Sequence, residues 1–273
     1  MTELLKIEWL KLKNYAAFKV MAIFFTLGVF AINYIVFTVN KNIVNNVPGA
    51  GLVSFSPYNF SNTWQTTSYA TGFILLLPAL LLLMLFTNEY TFKTHRQNII
   101  DGLSRSQFIH VKLMMALLFA MVATFLVAIT ALLFGFASGT SFSLHGIIFV
   151  GYFFLKALSY NLIAILFSVL VKRTGFAIGV FFIYMGSENI VSQLLNILSI
   201  KLKKDHATDL GNIGDYLPMN ASDGLLEFPE NAIKAMSKSI MPADYVWVEF
   251  VFALLYLVLF YFWATKKFMK SDL

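Results

Sequence analysis

The sequence predicts an all-α protein that crosses a membrane about six times, and three observations lead there. Of its 273 residues 59% are hydrophobic and only 12% charged, whereas an ordinary soluble domain is roughly a quarter charged. Mean hydropathy is +0.74, so a globule of this size has no interior large enough for its apolar surface. The apolar residues also form long charge-free runs, such as Phe73 to Phe86 and Leu113 to Phe136, instead of the stripes of amphipathic helices.

A helix needs about 20 apolar residues to cross the hydrocarbon. Six segments reach that length: about 18–39, 69–87, 111–137, 146–171, 175–198 and 245–265. The remaining features divide between two faces. One carries thirteen Lys and Arg against five Asp and Glu, and the other six against seven. By the positive-inside rule both termini are expected in the cytoplasm, with the chain a multi-pass protein of the cell (inner) membrane. The opening, Met1 to Lys13, carries Glu3 and Glu8 and no small-residue cleavage site, so no removable signal peptide is expected. On a helical wheel Leu4 to Lys13 does not sort its charges from its apolar residues.

Asn40 to Ser68 is rich in Asn, Gly, Pro and Ser, and 199–244 mixes charge, Gly and Pro with short apolar patches, so both are expected outside. Trp64, Tyr69, Tyr245 and Trp247 fall where an outer aromatic belt belongs, and Tyr261 and Trp263 where the inner one does. Pro78 lacks an amide hydrogen and is expected to kink the second span. There is no internal repeat, and the chain reads as one transmembrane domain over 1–273.

Composition narrows the chemistry. The net charge of +6 comes without a basic run interleaved with aromatics, so a membrane face and not nucleic acid is the expected partner. With no cysteine there are no disulfides, thiolate metal sites or cysteine nucleophiles. His95, His110, His145 and His206 lack metal-ligand spacing, and Asp205, His206 and Asp209 read as a solvated outer cluster. Phe136 to Gly139 reads FASG, one glycine short of an intramembrane serine protease motif. The last span has no His to activate Ser138, and Ser138 and Gly139 are expected to end the third span.

Two features remain. The first is the connection Asn88 to His110, NEYTFKTHRQNIIDGLSRSQFIH. Phe92, Ile99 and Leu103 recur at helical spacing while Lys93, Arg96 and Asp101 stay in water, so a short helix at the membrane surface is expected. Gly102 then breaks it, and Ser104 followed by Gln107 forms a capping box before the third span. The second is the pair of charges farthest from any span end, Lys156 and Glu188. Counted at ~1.5 Å per residue they lie at matching depth, so a salt bridge between antiparallel neighbours is expected, with Ser187, Asn189 and Asn161 adding hydrogen bonds. The other reading of these two is a polar point on a transport path. Glu249 is expected at the interface.

At Glu89, Thr94, Arg96, Ser104, Arg105 and Lys112 the chain resembles the permease subunits of type-two ABC exporters. The resemblance extends to the opening KIEWLKLK, the six-span plan and the long outer segment before the last span. It implies that 89–108 contains a coupling helix seated on a separate ATPase, with Glu89, Thr94, Arg96, Asp101, Ser104 and Arg105 as the coupling residues. It also implies a second permease, identical or related, that encloses the path. The chain contains no Gly-Lys dipeptide and hence no P-loop, so ATP and Mg belong to the partner. No enzyme activity and no cofactor are expected of the chain itself. The alternative is an ion-coupled secondary transporter working through Glu188 and Lys156, which the missing repeat weakens.

Overall fold

The computed structural model describes residues 2–46, 56–206, 209–229 and 242–271. The side chains of Lys41 and His206 and all of Lys234 and Lys238 lie outside the described residues, as does much of the expected outer segment. Among the described residues every regular element is helical. In chain order they are α1 (Thr2–Asn14), α2 (Ala16–Asn46), α3 (Phe60–Gly72), α4 (Leu76–Thr91) and α5 (Thr94–Ile100). There follow α6 (Arg105–Ala137), α7 (Ile148–Val171), α8 (Thr174–His206), a 3-10 turn (Ile213–Tyr216), α9 (Asn220–Gly224) and α10 (Val246–Met269).

Helices α2, α6, α7, α8 and α10 are long and apolar enough to cross a membrane, and the bent pair α3–α4 makes a sixth candidate span. α7 sits at the centre, with 67% of its apolar window buried against 17% for α2 and for α8. α3, α4, α6, α8 and α10 all pack on it. The peripheral helices turn Phe24, Leu27, Ile183, Leu194 and Phe262 outward. An all-helical chain with such an outer surface is built for a multi-pass membrane protein, because lipid is the solvent that tolerates it.

The second span departs from expectation. It breaks into two helices bent by 45°, and the break lies at Phe73 to Leu75, ahead of Pro78. Pro78 instead occupies the first turn of α4, where its missing N–H would have no intrahelical acceptor and its ring fits without distortion. The half before the break is polar, and Thr63, Thr66, Thr67, Ser68 and Thr71 are all buried. α3 is thus a protein-enclosed helix among α2, α6 and α7. Asn33 of α2 donates to the Thr71 hydroxyl at 3.2 Å and accepts from the Tyr58 hydroxyl at 2.9 Å. Trp64, expected in an aromatic belt, is buried and donates to the Ser143 carbonyl at 2.9 Å.

Both chain ends lie at one face, here the terminus face. There α1 turns into α2 at Tyr15: the rings of Trp9 and Phe18 are 6.2 Å apart, although nine residues of straight helix would separate them by roughly 13 Å. At the opposite, distal face Ser138 caps α6 by donating to the Gly135 carbonyl at 2.7 Å, and Gly139 takes a φ of +74°. These two residues therefore end the third span as expected.

Candidate functional site

Two polar assemblies stand out, one at the terminus face and one deep in the bundle. The first is built on Glu89, in the last turns of α4. Its Oε1 accepts from Lys112 Nζ at 2.7 Å and from Lys11 Nζ at 3.0 Å. Glu8 completes a ring, accepting from Lys112 at 2.5 Å and from Lys11 at 2.7 Å. Signs alternate around the four charges, so each ion loses water but gains two opposite neighbours, the condition under which buried ions are tolerated. Burial alone would raise the Glu8 carboxyl, yet the Lys112 and Lys11 ammonium groups outweigh it and hold it below its ordinary value. Lys11 is held above its own, against burial, by Glu89 and Glu8. α1 owes its mixed wheel to this ring: Glu8 and the partly exposed Lys11 reach toward Lys112 and Glu89 beside the buried Leu12.

The second half of this assembly is α5. Lys93, in the left-handed region at φ +57°, reverses the chain after α4. His95 then pins the helix, its Nδ1 standing 2.9 Å from the Glu89 carbonyl and its ring 4.7 Å from that of Tyr90. Thr94, Arg96 and Asp101 stay exposed, and Gln97 donates to Asp101 at 2.9 Å. Phe92, where α4 ends, and Ile100, the last residue of α5, are 73% and 78% exposed. Gly102, at φ +104°, ends the helix. The capping box forms in both directions, with the Gln107 amide donating to Ser104 Oγ at 3.1 Å and the Ser104 amide to Gln107 Oε1 at 3.0 Å. Arg105 turns away from α5 and donates to the carbonyls of Met269 at 3.1 Å and Ser271 at 3.2 Å, tying the end of α10 to the start of α6.

Grooves flank this corner. One of about 270 Å³ lies beside the charge ring and is bordered by Tyr15, Asn88, Phe92 and Thr94. Another of about 470 Å³ separates α1 from the α5–α6 corner and is bordered by Ile7, Asp101 and Gln107. Of the six residues expected to act together, Thr94, Arg96 and Asp101 are each exposed, Ser104 is a cap, and Glu89 and Arg105 are engaged inside the chain.

The deep assembly corrects one expectation. Lys156 and Glu188 do not pair with each other. Lys156 Nζ lies 3.2 Å from Asp223 Oδ1, and the Tyr160 hydroxyl donates to Asp223 Oδ2 at 3.1 Å. Glu188 Oε1 accepts from the backbone amides of Met219 at 2.5 Å and Asn220 at 2.9 Å, the start of α9. The two charges do sit near the same level, but α9 returns from the distal side to that level and supplies a partner to each. Among the described residues Asn189 is exposed and donates only to the Met185 carbonyl of its own helix at 2.9 Å, while Asn161 crosses to the Ala116 carbonyl of α6 at 2.9 Å. Glu249, expected at the interface, is buried beside Gly224, whose missing side chain makes room for it: a Cβ there would stand 2.7 Å from Glu249 Oε2.

Among the described residues no group of three His, Cys, Asp or Glu is placed to hold a metal ion. Sequence reasoning missed His95, the Glu8–Lys11 half of the ring, and Asp223. The i, i+3 spacing of Glu8 and Lys11 was a local signal; the other contacts are set by tertiary structure. The fold and these assemblies define the class as a multi-pass helical membrane protein with a braced surface helix at one face and a returning helix near the other. Comparison with family models, curated proteins and solved structures yields no match.

Proposed function

We propose that this chain is the membrane-spanning permease subunit of an ATP-driven exporter, with its termini in the cytoplasm and its ATPase a separate protein that holds ATP and Mg. A second copy or a related permease completes the path. The observation that carries this reading is α5 itself. Seven residues long, it offers Arg96 and Ile100 to the terminus face, with Phe92 just before it and Asp101 just after it also exposed, and exposed large apolar residues beside charges are what a partner's groove takes up. A docking helix must also pass force on, and α5 is fixed to the spans through His95 and, behind it, Glu89. In this reading Thr94, Arg96 and Asp101 meet the ATPase, whereas Glu89, Ser104 and Arg105 position the segment.

Purification from the native membrane in mild detergent, with Ile100→Cys carrying a short cross-linker, tests this. A cross-linked partner bearing a P-loop is the expected result, and Arg96→Glu is expected to weaken that capture at least about tenfold while leaving the melting temperature unchanged. A preparation that captures no ATPase, with intact protein, overturns the proposal. The ion-coupled alternative is less well supported, because the Glu188 carboxylate already holds two backbone amides and Lys156 already holds Asp223.

A further inference from the structure

A third cavity, of about 400 Å³, lies between α1, α2, α4 and α6 and is lined almost entirely by apolar side chains. Trp9 and Phe18 stand at its terminus-face end, and Pro78, Leu81, Val122 and Leu126 line it farther in. Along α6 the lining runs from Met115 to Leu126, roughly 16 Å of helix, which is about one leaflet of a ~30 Å hydrocarbon core. The cavity opens sideways, since Val122 is 68% exposed while Ala123 beside it is buried. Its size is that of a specific ligand site and not of a packing defect.

The mouth carries the complementary charge. Lys13 lies one turn beyond Trp9 on α1, and Lys19 one turn before Ala22 on α2; Trp9 and Ala22 both line the cavity. Both lysines are exposed, and neither pairs with a carboxylate among the described residues, unlike Lys6, which holds Glu3 at 2.7 Å. An indole and two free ammonium groups at the interfacial level, above an apolar slot one leaflet deep, match one amphiphile: an acyl chain below, an anionic head group above.

We propose that this cavity is a binding site for a single glycerophospholipid with an anionic head group, taken from the leaflet at the terminus face. The inference does not depend on the transport reading. The purified full chain is reconstituted into vesicles of phosphatidylcholine containing a trace of phosphatidylglycerol with a photoreactive group near the end of one acyl chain. Cross-links are expected on α4 and α6 peptides bearing Leu81, Phe119 or Val122. Unlabelled phosphatidylglycerol is expected to displace the label at about tenfold lower mole fraction than added phosphatidylethanolamine, which like the matrix lipid carries no net charge. The exposed double variant K13Q/K19Q is expected to erase that preference while keeping the fold, and Ala22→Trp to block the slot and the labelling together. Labelling spread evenly over α8 and α10 as well, or equal displacement by both lipids, means ordinary boundary lipid and overturns the proposal. Labelling confined to the slot but unaffected by K13Q/K19Q overturns the head-group assignment.

Discussion

Lys156 and Asp223 meet at 3.2 Å although 67 residues separate them in the chain, one on the central helix and the other on a five-residue helix that returns from the distal face. A charge at this depth persists because it has a partner. Removing one member leaves the other buried and unpaired. Lys156→Met or Asp223→Leu alone is expected to destabilise by about 3–5 kcal/mol, and the double variant by clearly less than the sum. Thermal melting in detergent measures this, and strict additivity would show that the two charges do not interact.

Glu188 anchors the same segment differently, by accepting from the amides of Met219 and Asn220. Glu188→Ala is expected to loosen the start of α9 by about 1.5–3 kcal/mol, the range for a hydrogen bond to a charged group. Glu188→Gln, which keeps an acceptor, is expected to loosen it less. Hydrogen exchange at residues 219–224 reads the difference, and equal protection in Ala and Gln variants would remove the anchoring role.

Docking of α1 depends on pH through its ring of charges. Glu8 titrates lower in the fold than its ordinary 4.5, so its contribution is complete above that value and is lost as pH falls through the depressed one. Lys11 titrates higher than its ordinary 10.5, so its contribution is complete below that value and lost as pH rises through the elevated one. The chain has no cysteine, which allows a spin-label pair at the exposed Leu10 and Ile100. Their distance is expected to stay constant between pH 5 and about 10 and to widen in acid. A change centred near neutrality would assign the docking to other groups.

At the distal face a Cβ on Gly135 would stand 2.6 Å from the Phe60 ring, which is already flanked by Phe136 and Phe142 at centroid distances of 5.0 and 5.3 Å. Gly135→Ala is expected to cost about 1–3 kcal/mol through overpacking, and Phe60→Leu in the same chain to recover part of it. Melting temperatures decide, and a neutral Gly135→Ala would mean that α3 and α6 separate easily.

What was legible in the sequence followed from local physics. Apolar runs located five spans, Gly102 located the end of α5, and Ser104 with Gln107 located the start of α6, because each signal acts within a few residues. The break before Pro78 was misplaced because nothing local distinguishes a proline that kinks a helix from one that opens the next. Depth counting placed Lys156 and Glu188 near the same level, but depth does not reveal neighbours. Asp223 sat in what read as a solvated outer segment, and only the packed structure brings it down to Lys156. Glu8 and Lys11 are an i, i+3 pair visible in the sequence, but their other partners, Glu89 and Lys112, lie on other helices and were hidden for the same reason.

The clasp of Arg105 on the Met269 and Ser271 carbonyls bears on how the molecule is made. At least 164 residues separate donor and acceptor, so at common synthesis speeds the guanidinium waits roughly 10–30 s for its acceptors to be made. During that interval the third, fourth and fifth spans are made while the start of α6 lacks this tether. A chain halted before Met269 never acquires it, so the terminus face itself records whether translation reached the last turn of α10.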